Sequence, residues 1–148
     1  MVQIPKSFYD AIIAHCQQEY PKEACGLLAG SDSPQASIVQ IYPMRNVEAS
    51  PIGYAMDPKE QLQVEKQMRQ RQQRLCGIYH SHTASAAFPS SVDVSLALGP
   101  EISYVLVSVK ERSSPLLKSY RIDRSHPTQP ITEEPVILLD AIGGSSDY

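Results

Sequence analysis

An apolar run that ends in two histidines constrains this chain more than any other feature. Leu75-Cys-Gly-Ile-Tyr79 passes directly into His80-Ser-His82, and a polar, small-residue loop from Thr83 to Ser90 leads on to Asp93. The run predicts a buried strand. Residues i and i+2 of a strand share a face, so His80 and His82 project together from one strand end, where two imidazoles can grip one metal ion. Asp93 follows His82 after ten intervening residues, at the start of a helix predicted over Ser91 to Leu98. A loop of that length can fold back and offer a carboxylate as third ligand. Two histidines, one carboxylate and a water make a four-coordinate catalytic zinc site with an open position. Imidazole nitrogen favours zinc over magnesium, and non-haem iron, which takes the same donors, is the main rival.

The segments around this run predict a mixed sheet covered by helices. Phe8, Ile12 and Cys16, widened by Tyr9 and Ile13, give a helical stripe over Pro5 to about Glu19, closed by Pro21. Cys25-Gly-Leu-Leu-Ala-Gly30 reads as a buried strand, ended by a turn at Ser31-Asp-Ser-Pro34, and Ser37 to Tyr42 as a second strand. A loop with Asn46, Ser50, Pro51 and Gly53 precedes a short extended piece, Tyr54 to Met56. Asp57 followed by Pro58 marks a helix start, with the helix running to about Gln73. Its Lys- and Arg-rich end, Lys66 to Arg74, reads as a solvated face suited to a helix C-terminus. Ser103 to Val109 and Leu116 to Ile122 are strands. Pro127, Pro130 and Pro135 predict an irregular stretch before a last strand at Val136 to Leu139. The α/β architecture expected is one domain over residues 1–140, with a flexible tail over 141–148 that contains Gly143-Gly144.

Composition excludes several functions. The net charge of −3 gives no electrostatic case for nucleic acid. No apolar run approaches a membrane span, and the N-terminus lacks a signal-peptide pattern, so a cytoplasmic location is expected. Cys16, Cys25 and Cys76 are odd in number and form no C-x-x-C pair, which fits buried thiols. None has the neighbouring base a cysteine nucleophile needs.

Hydrolysis at such a metal also needs a group that takes a proton from water and returns it to the leaving amine. Glu23, just before the strand Cys25 to Gly30, is the candidate if that strand lies beside the histidine strand. Each residue also has a plainer reading. Asp93, Ser90 and Ser91 suit a helix start. Glu23 could be a surface carboxylate. His15 and His126 receive no role, and Tyr79 should face the core, opposite His80.

Taken together, Glu23 within Pro21-Lys-Glu-Ala-Cys-Gly-Leu-Leu-Ala-Gly30, His80-x-His82 and Asp93 resemble the JAMM (MPN-plus) metalloproteases. Tyr54-Ala-Met-Asp-Pro58, Gly77-Ile-Tyr-His-Ser-His82, Pro89-Ser90, Ser103-Tyr-Val-Leu-Val-Ser108 and Tyr120-Arg-Ile122 extend the likeness over about residues 4–122, most closely to small stand-alone bacterial members. The resemblance implies a cytidine-deaminase-like mixed sheet between helices. It also implies one zinc ion held by His80, His82 and Asp93, Glu23 as general base, and Ser90 as hydrogen-bond donor to the developing oxyanion. Thr83 departs from the pattern, since family members usually carry proline there.

The implied substrates are ubiquitin-like or sulfur-carrier proteins ending in Gly-Gly. No evident insertion between Asp57 and Asp93 resembles those of ubiquitin-selective relatives, which favours sulfur carriers and release of a small amine such as cysteine. A Gly-Gly tail is expected in a groove beside His80 to Ser90, added as a strand to the sheet edge. The alternative is a non-catalytic MPN-type interaction module, which has no physical reason to keep the ligands and Glu23. A deaminase is excluded by the lack of H-x-E and P-C-x-x-C segments.

Overall fold

The computed structural model describes residues 1–31 and 37–140; most of the turn expected at Ser31 to Pro34 and the tail over 141–148 lie outside these described residues. The elements are β1 (Val2–Pro5), α1 (Lys6–Glu19), β2 (Cys25–Ser31), β3 (Ile38–Met44), α2 (Pro58–Gln70), β4 (Gln73–His82), α3 (Ser91–Ser95), β5 (Ser103–Ser108), β6 (Leu116–Ile122), β7 (Ile131–Glu134) and β8 (Val136–Leu139). Six strands form one sheet in the order β3-β2-β4-β5-β6-β7, and β1 and β8 pair as a separate two-stranded ribbon. Within the large sheet β4 and β5 are parallel and the other pairs antiparallel. The expected mixed sheet between helices is present.

The helices cover opposite faces. On one side Ile12 and Cys16 of α1 pack with Leu28, Tyr79, Val105 and Val107. On the other, Met68 of α2 packs with Cys25, Leu27, Tyr42 and Met44. Every residue of β5 is buried, as expected of a central strand covered on both faces. Among the described residues no helix is long and apolar enough to cross a membrane.

Several boundaries differ from the sequence reading. Pro5 ends β1 and serves as the N-cap of α1 rather than lying inside the helix. Helix α2 ends at Gln70 instead of about Gln73, because Gln72 adopts a left-handed conformation with φ of 57° and turns the chain into β4. Helix α3 stops at Ser95 rather than Leu98. Leu96 is its C-cap, and the Leu98 N–H is taken by the Tyr104 hydroxyl at 2.5 Å. Strand β7 runs through the stretch expected to be irregular. Its one buried residue is Glu134, which accepts from Ser119 Oγ at 2.7 Å and Arg121 Nε at 2.9 Å.

Candidate metal centre

Strand β4 presents its histidines as the two-residue period requires. His80 pairs with Cys25 and Leu106 across the sheet, on the α2 side, while Tyr79 and Ser81 face α1. Tyr79 is fully buried on that far side, as expected, with its hydroxyl 2.6 Å from His15 Nδ1.

The loop after β4 carries the chain to α3, whose first turn returns Asp93 to the histidines. His80 Nε2 lies 3.3 Å from His82 Nε2 and 3.2 Å from Asp93 Oδ1, and His82 Nε2 lies 3.2 Å from Asp93 Oδ2. A tetrahedron with zinc bonds of about 2.0–2.1 Å has edges of about 3.3–3.4 Å. The imidazole pair matches such an edge, the carboxylate sets one oxygen beside each ring, and the donor types are those zinc takes, so the trio fits a zinc ion in chemistry. His82 Nδ1 lies 2.9 Å from the Ala86 carbonyl. A carbonyl only accepts, so Nδ1 carries the proton and the Nε2 lone pair is left for a metal. Within the described residues, this is the group of histidine, cysteine and acidic side chains gathered closely enough for a metal.

Charge follows from the surroundings. Burial would raise the Asp93 carboxyl, but the imidazoles of His80 and His82 and the Ser90 N–H hold it well below the usual carboxylate range. Burial lowers the pKa of His80. His82 loses basicity by burial but regains more from Asp93 and the Ala86 carbonyl, so its pKa is raised.

Asp93 and Ser90 fill the helix-start role that the sequence allows them. Asp93 N–H donates to Ser90 Oγ at 3.1 Å, and Ser90 N–H donates to Asp93 Oδ2 at 2.8 Å, a reciprocal capping box. The box holds the carboxylate toward the histidines. It uses Ser90 Oγ as an acceptor and so leaves the hydroxyl proton available.

Glu23 lines the same cleft as His80, His82, Ser90 and Asp93, a space of about 650 Å³. It is 6% exposed and is not the surface carboxylate of the plainer reading. Burial, with the charges of Asp93 and Glu48, pushes its carboxyl up to about 7 against the pull of His82. The inferred adjacency of β2 and β4 is observed. It is reinforced where Ala24 N–H donates to Ser81 Oγ at 2.8 Å and Ser81 N–H donates to the Ala24 carbonyl at 3.1 Å.

Sequence reasoning missed several supporting residues. The Tyr54 ring lies 4.7 Å from that of His80 at a tilt of 32° and packs against it. Thr83, standing where proline was expected, donates through Oγ1 to the Pro51 carbonyl at 2.8 Å and ties the loop leaving His82 to the loop before α2. Only the position of Tyr54 within its motif was a signal; nothing in the sequence pointed to the Thr83 bond. The expectation of a tail added to the sheet edge is corrected by the topology. The sheet edges are β3 and β7, whereas the histidines sit on the interior strand β4, so the cleft lies over a sheet face. The loop after β3 and the end of α3 line it, with Ile52 and Leu96 exposed among the lining residues.

The family model described as prokaryotic homologs of the JAB domain matches residues 5–123. CysO-cysteine peptidase from Mycobacterium tuberculosis is 43% identical over 134 residues, covering 88% of this chain and 86% of that protein. Desampylase from Haloferax volcanii is 33% identical over 104 residues, 67% of this chain and 74% of that protein. The solution structure of a protein from Desulfitobacterium hafniense superposes with a TM-score of 0.83 at 36% identity, covering 98% of this chain and 97% of that one. A JAB1/MPN domain protein from Archaeoglobus fulgidus, at a TM-score of 0.58 and 17% identity, covers 93% of this chain and 97% of its own, and shares the fold.

Proposed function

The chain belongs to the prokaryotic homologs of the JAB domain, and on that premise we propose that it is a zinc-dependent peptidase. Its substrate would be the peptide or isopeptide bond after the C-terminal Gly-Gly of a small ubiquitin-like or sulfur-carrier protein. The observation that carries the proposal is the cluster of His80, His82 and Asp93, whose imidazole nitrogens lie 3.3 Å apart and each 3.2 Å from one carboxylate oxygen, in one cleft with the buried Glu23. A scaffold gains nothing from burying the Glu23 carboxyl in one cleft with this cluster. The names of the two relatives, a CysO-cysteine peptidase and a desampylase, support the activity and substrate class. Residues 1–140 would form one catalytic domain.

Zinc held by this trio would supply a Lewis acid and bring the pKa of a water toward neutrality. The chain's own residues would do the rest. Glu23, with a carboxyl near 7 before metal loading, is suited to take a proton from the attacking water and return it to the leaving amine. The Ser90 hydroxyl, oriented by its capping bond, would donate to the oxygen of the scissile carbonyl as charge develops there. Ile52 and Leu96 would shield the scissile bond from bulk water. The glycines of a tail would let its backbone approach the trio without a side chain in the way.

The test is mass spectrometry of a carrier–amino acid conjugate and a carrier–lysine isopeptide conjugate, before and after incubation with zinc-loaded protein. The expected result is loss of the adduct mass and appearance of a free Gly-Gly carboxylate. Two intact conjugates would defeat the proposal.

A further inference from the structure

Asn46 takes no part in the chemistry above, yet its side chain joins the parts of the cleft. It is 7% exposed. Its Nδ2 donates to the Glu23 carbonyl and to the Gly53 carbonyl, each at 3.0 Å. Its Oδ1 accepts from Glu48 N–H and Ala55 N–H, each at 3.1 Å. A primary amide offers two donors and two acceptor sites, and all four are used.

The bonds close the chain between Asn46 and Met56 onto one side chain. Val47 N–H donates to the Ala55 carbonyl at 2.9 Å, Ala49 N–H to the Asn46 carbonyl at 3.1 Å, and Asn46 bridges to Met56. That closed loop then holds the site at three points. Glu23 N–H donates to the Ser50 carbonyl at 2.8 Å, so both backbone polar groups of Glu23 end on Asn46 or its loop. Tyr54 packs on His80, and the Pro51 carbonyl accepts from Thr83.

We propose that Asn46 is a positioning residue for the reaction, holding the backbone of Glu23 at the height of the metal trio and the loop over 47–55 against His80. The inference rests on the peptidase reading given above. Asparagine is required because the hub needs both donors and acceptors. Aspartate keeps the two accepted bonds and sets a carboxylate oxygen against two carbonyl oxygens. Alanine takes these partners from the buried Glu23 carbonyl and from three part-buried backbone groups.

The experiment uses the full chain with N46D, E23Q and the double variant, reading zinc content, kcat and KM on a cleaved conjugate, and amide hydrogen exchange. For N46D we expect one zinc per chain, a KM within about threefold of wild type, and a kcat lowered about 10- to 100-fold, the range for a misplaced reacting group. In the E23Q background the same change should cost at least about fivefold less, because most of its effect passes through Glu23 and only the part carried by the loop on His80 remains. Protection of the Glu23 amide should fall at least tenfold while that of Leu106 in β5 stays. An unchanged kcat, or an equal loss with and without Glu23, overturns the proposal. If wild-type protein cleaves no conjugate, the peptidase reading fails by itself, and exchange decides alone: an unchanged Glu23 amide in N46D overturns the positioning role, and a lost one upholds the tie. N46A, whose effect includes unfolding, should be more damaging than N46D by thermal melting; equal melting temperatures would also count against the hub.

Discussion

Substituting Gly26 by alanine tests how the sheet holds the histidine strand. Gly26 pairs with Tyr79, the residue before His80, and a Cβ built at Gly26 would lie 2.1 Å from Tyr79 Cε2, 2.4 Å from Cζ and 2.6 Å from Oη. The ring would have to retreat by more than 1 Å to reach ordinary contact at 3.4 Å. Tyr79 is fully buried among Ile12, Cys16 and Leu28, so no open space receives it. Overpacking of a filled core costs about 1–3 kcal/mol. Displacing the ring also breaks the 2.6 Å contact to His15, worth about 1 kcal/mol more. We therefore expect Gly26→Ala to lose about 2–4 kcal/mol, or about 4–16 °C in Tm at this chain length. Urea denaturation gives the loss directly. Tyr79→Phe alone should cost only about 1 kcal/mol. Gly26→Ala combined with Tyr79→Leu should recover part of the loss, since the clash is with the ring. A Gly26→Ala protein within about 0.5 kcal/mol of wild type would refute the account of this contact.

His80→Ala, His82→Ala and Asp93→Ala should each sharply lower zinc retention in elemental analysis after loading, and equal zinc in wild type and His82→Ala would remove the ligand assignment. Glu23→Gln should bind zinc normally and lose about 10²–10⁴-fold in activity; a variant that loses its metal instead would make Glu23 a ligand. Ser90→Ala should keep zinc and slow cleavage by about 10²-fold or more if one oxyanion donor is lost, and an unchanged rate would leave Ser90 only its capping role. The Glu23 carboxyl is raised by folding from 4.5 to about 7 in the metal-free chain. Its contribution to stability is therefore fully present below about pH 4.5 and lost as pH rises through about 7. Urea midpoints measured from pH 4 to 8 should fall more steeply in wild type than in Glu23→Gln, and parallel curves would contradict the shift.

Much of the site was legible because its logic is local. The two-residue period of a strand is enough to put His80 and His82 on one face, and a helix start explains how Asp93 is aimed. The elements that escaped were those whose burial is not written in apolar letters. Strand β7 buries a carboxylate, Glu134, whose partners are Ser119 and Arg121 of β6 and the amine of Met1. No hydrophobic pattern announces such a strand. Strand β1 does alternate, with Val2 and Ile4 buried, but it is four residues long and pairs with β8 at the far end of the chain. The end of α3 likewise depends on Tyr104, a residue of another strand.

The residues that look purely structural carry the geometry on which the chemistry depends. Ser90 and Asp93 form an ordinary helix cap, and the cap is what turns the carboxylate toward two imidazoles. Thr83 replaces a ring that would have fixed φ with a hydroxyl that reaches Pro51. The two devices restrain the same loop by different means, one through the chain's own dihedral and one through its neighbour. The second makes the loop after His82 depend on the loop over 47–55. Asn46 closes that neighbouring loop, and the loop also holds the Glu23 backbone. The Glu23 backbone and the loop leaving His82 are therefore coupled through neutral hydrogen bonds that involve neither the Glu23 carboxyl nor the imidazoles. Activity in this chain should accordingly be sensitive to substitutions on the loop over 47–55 that leave the metal ligands untouched.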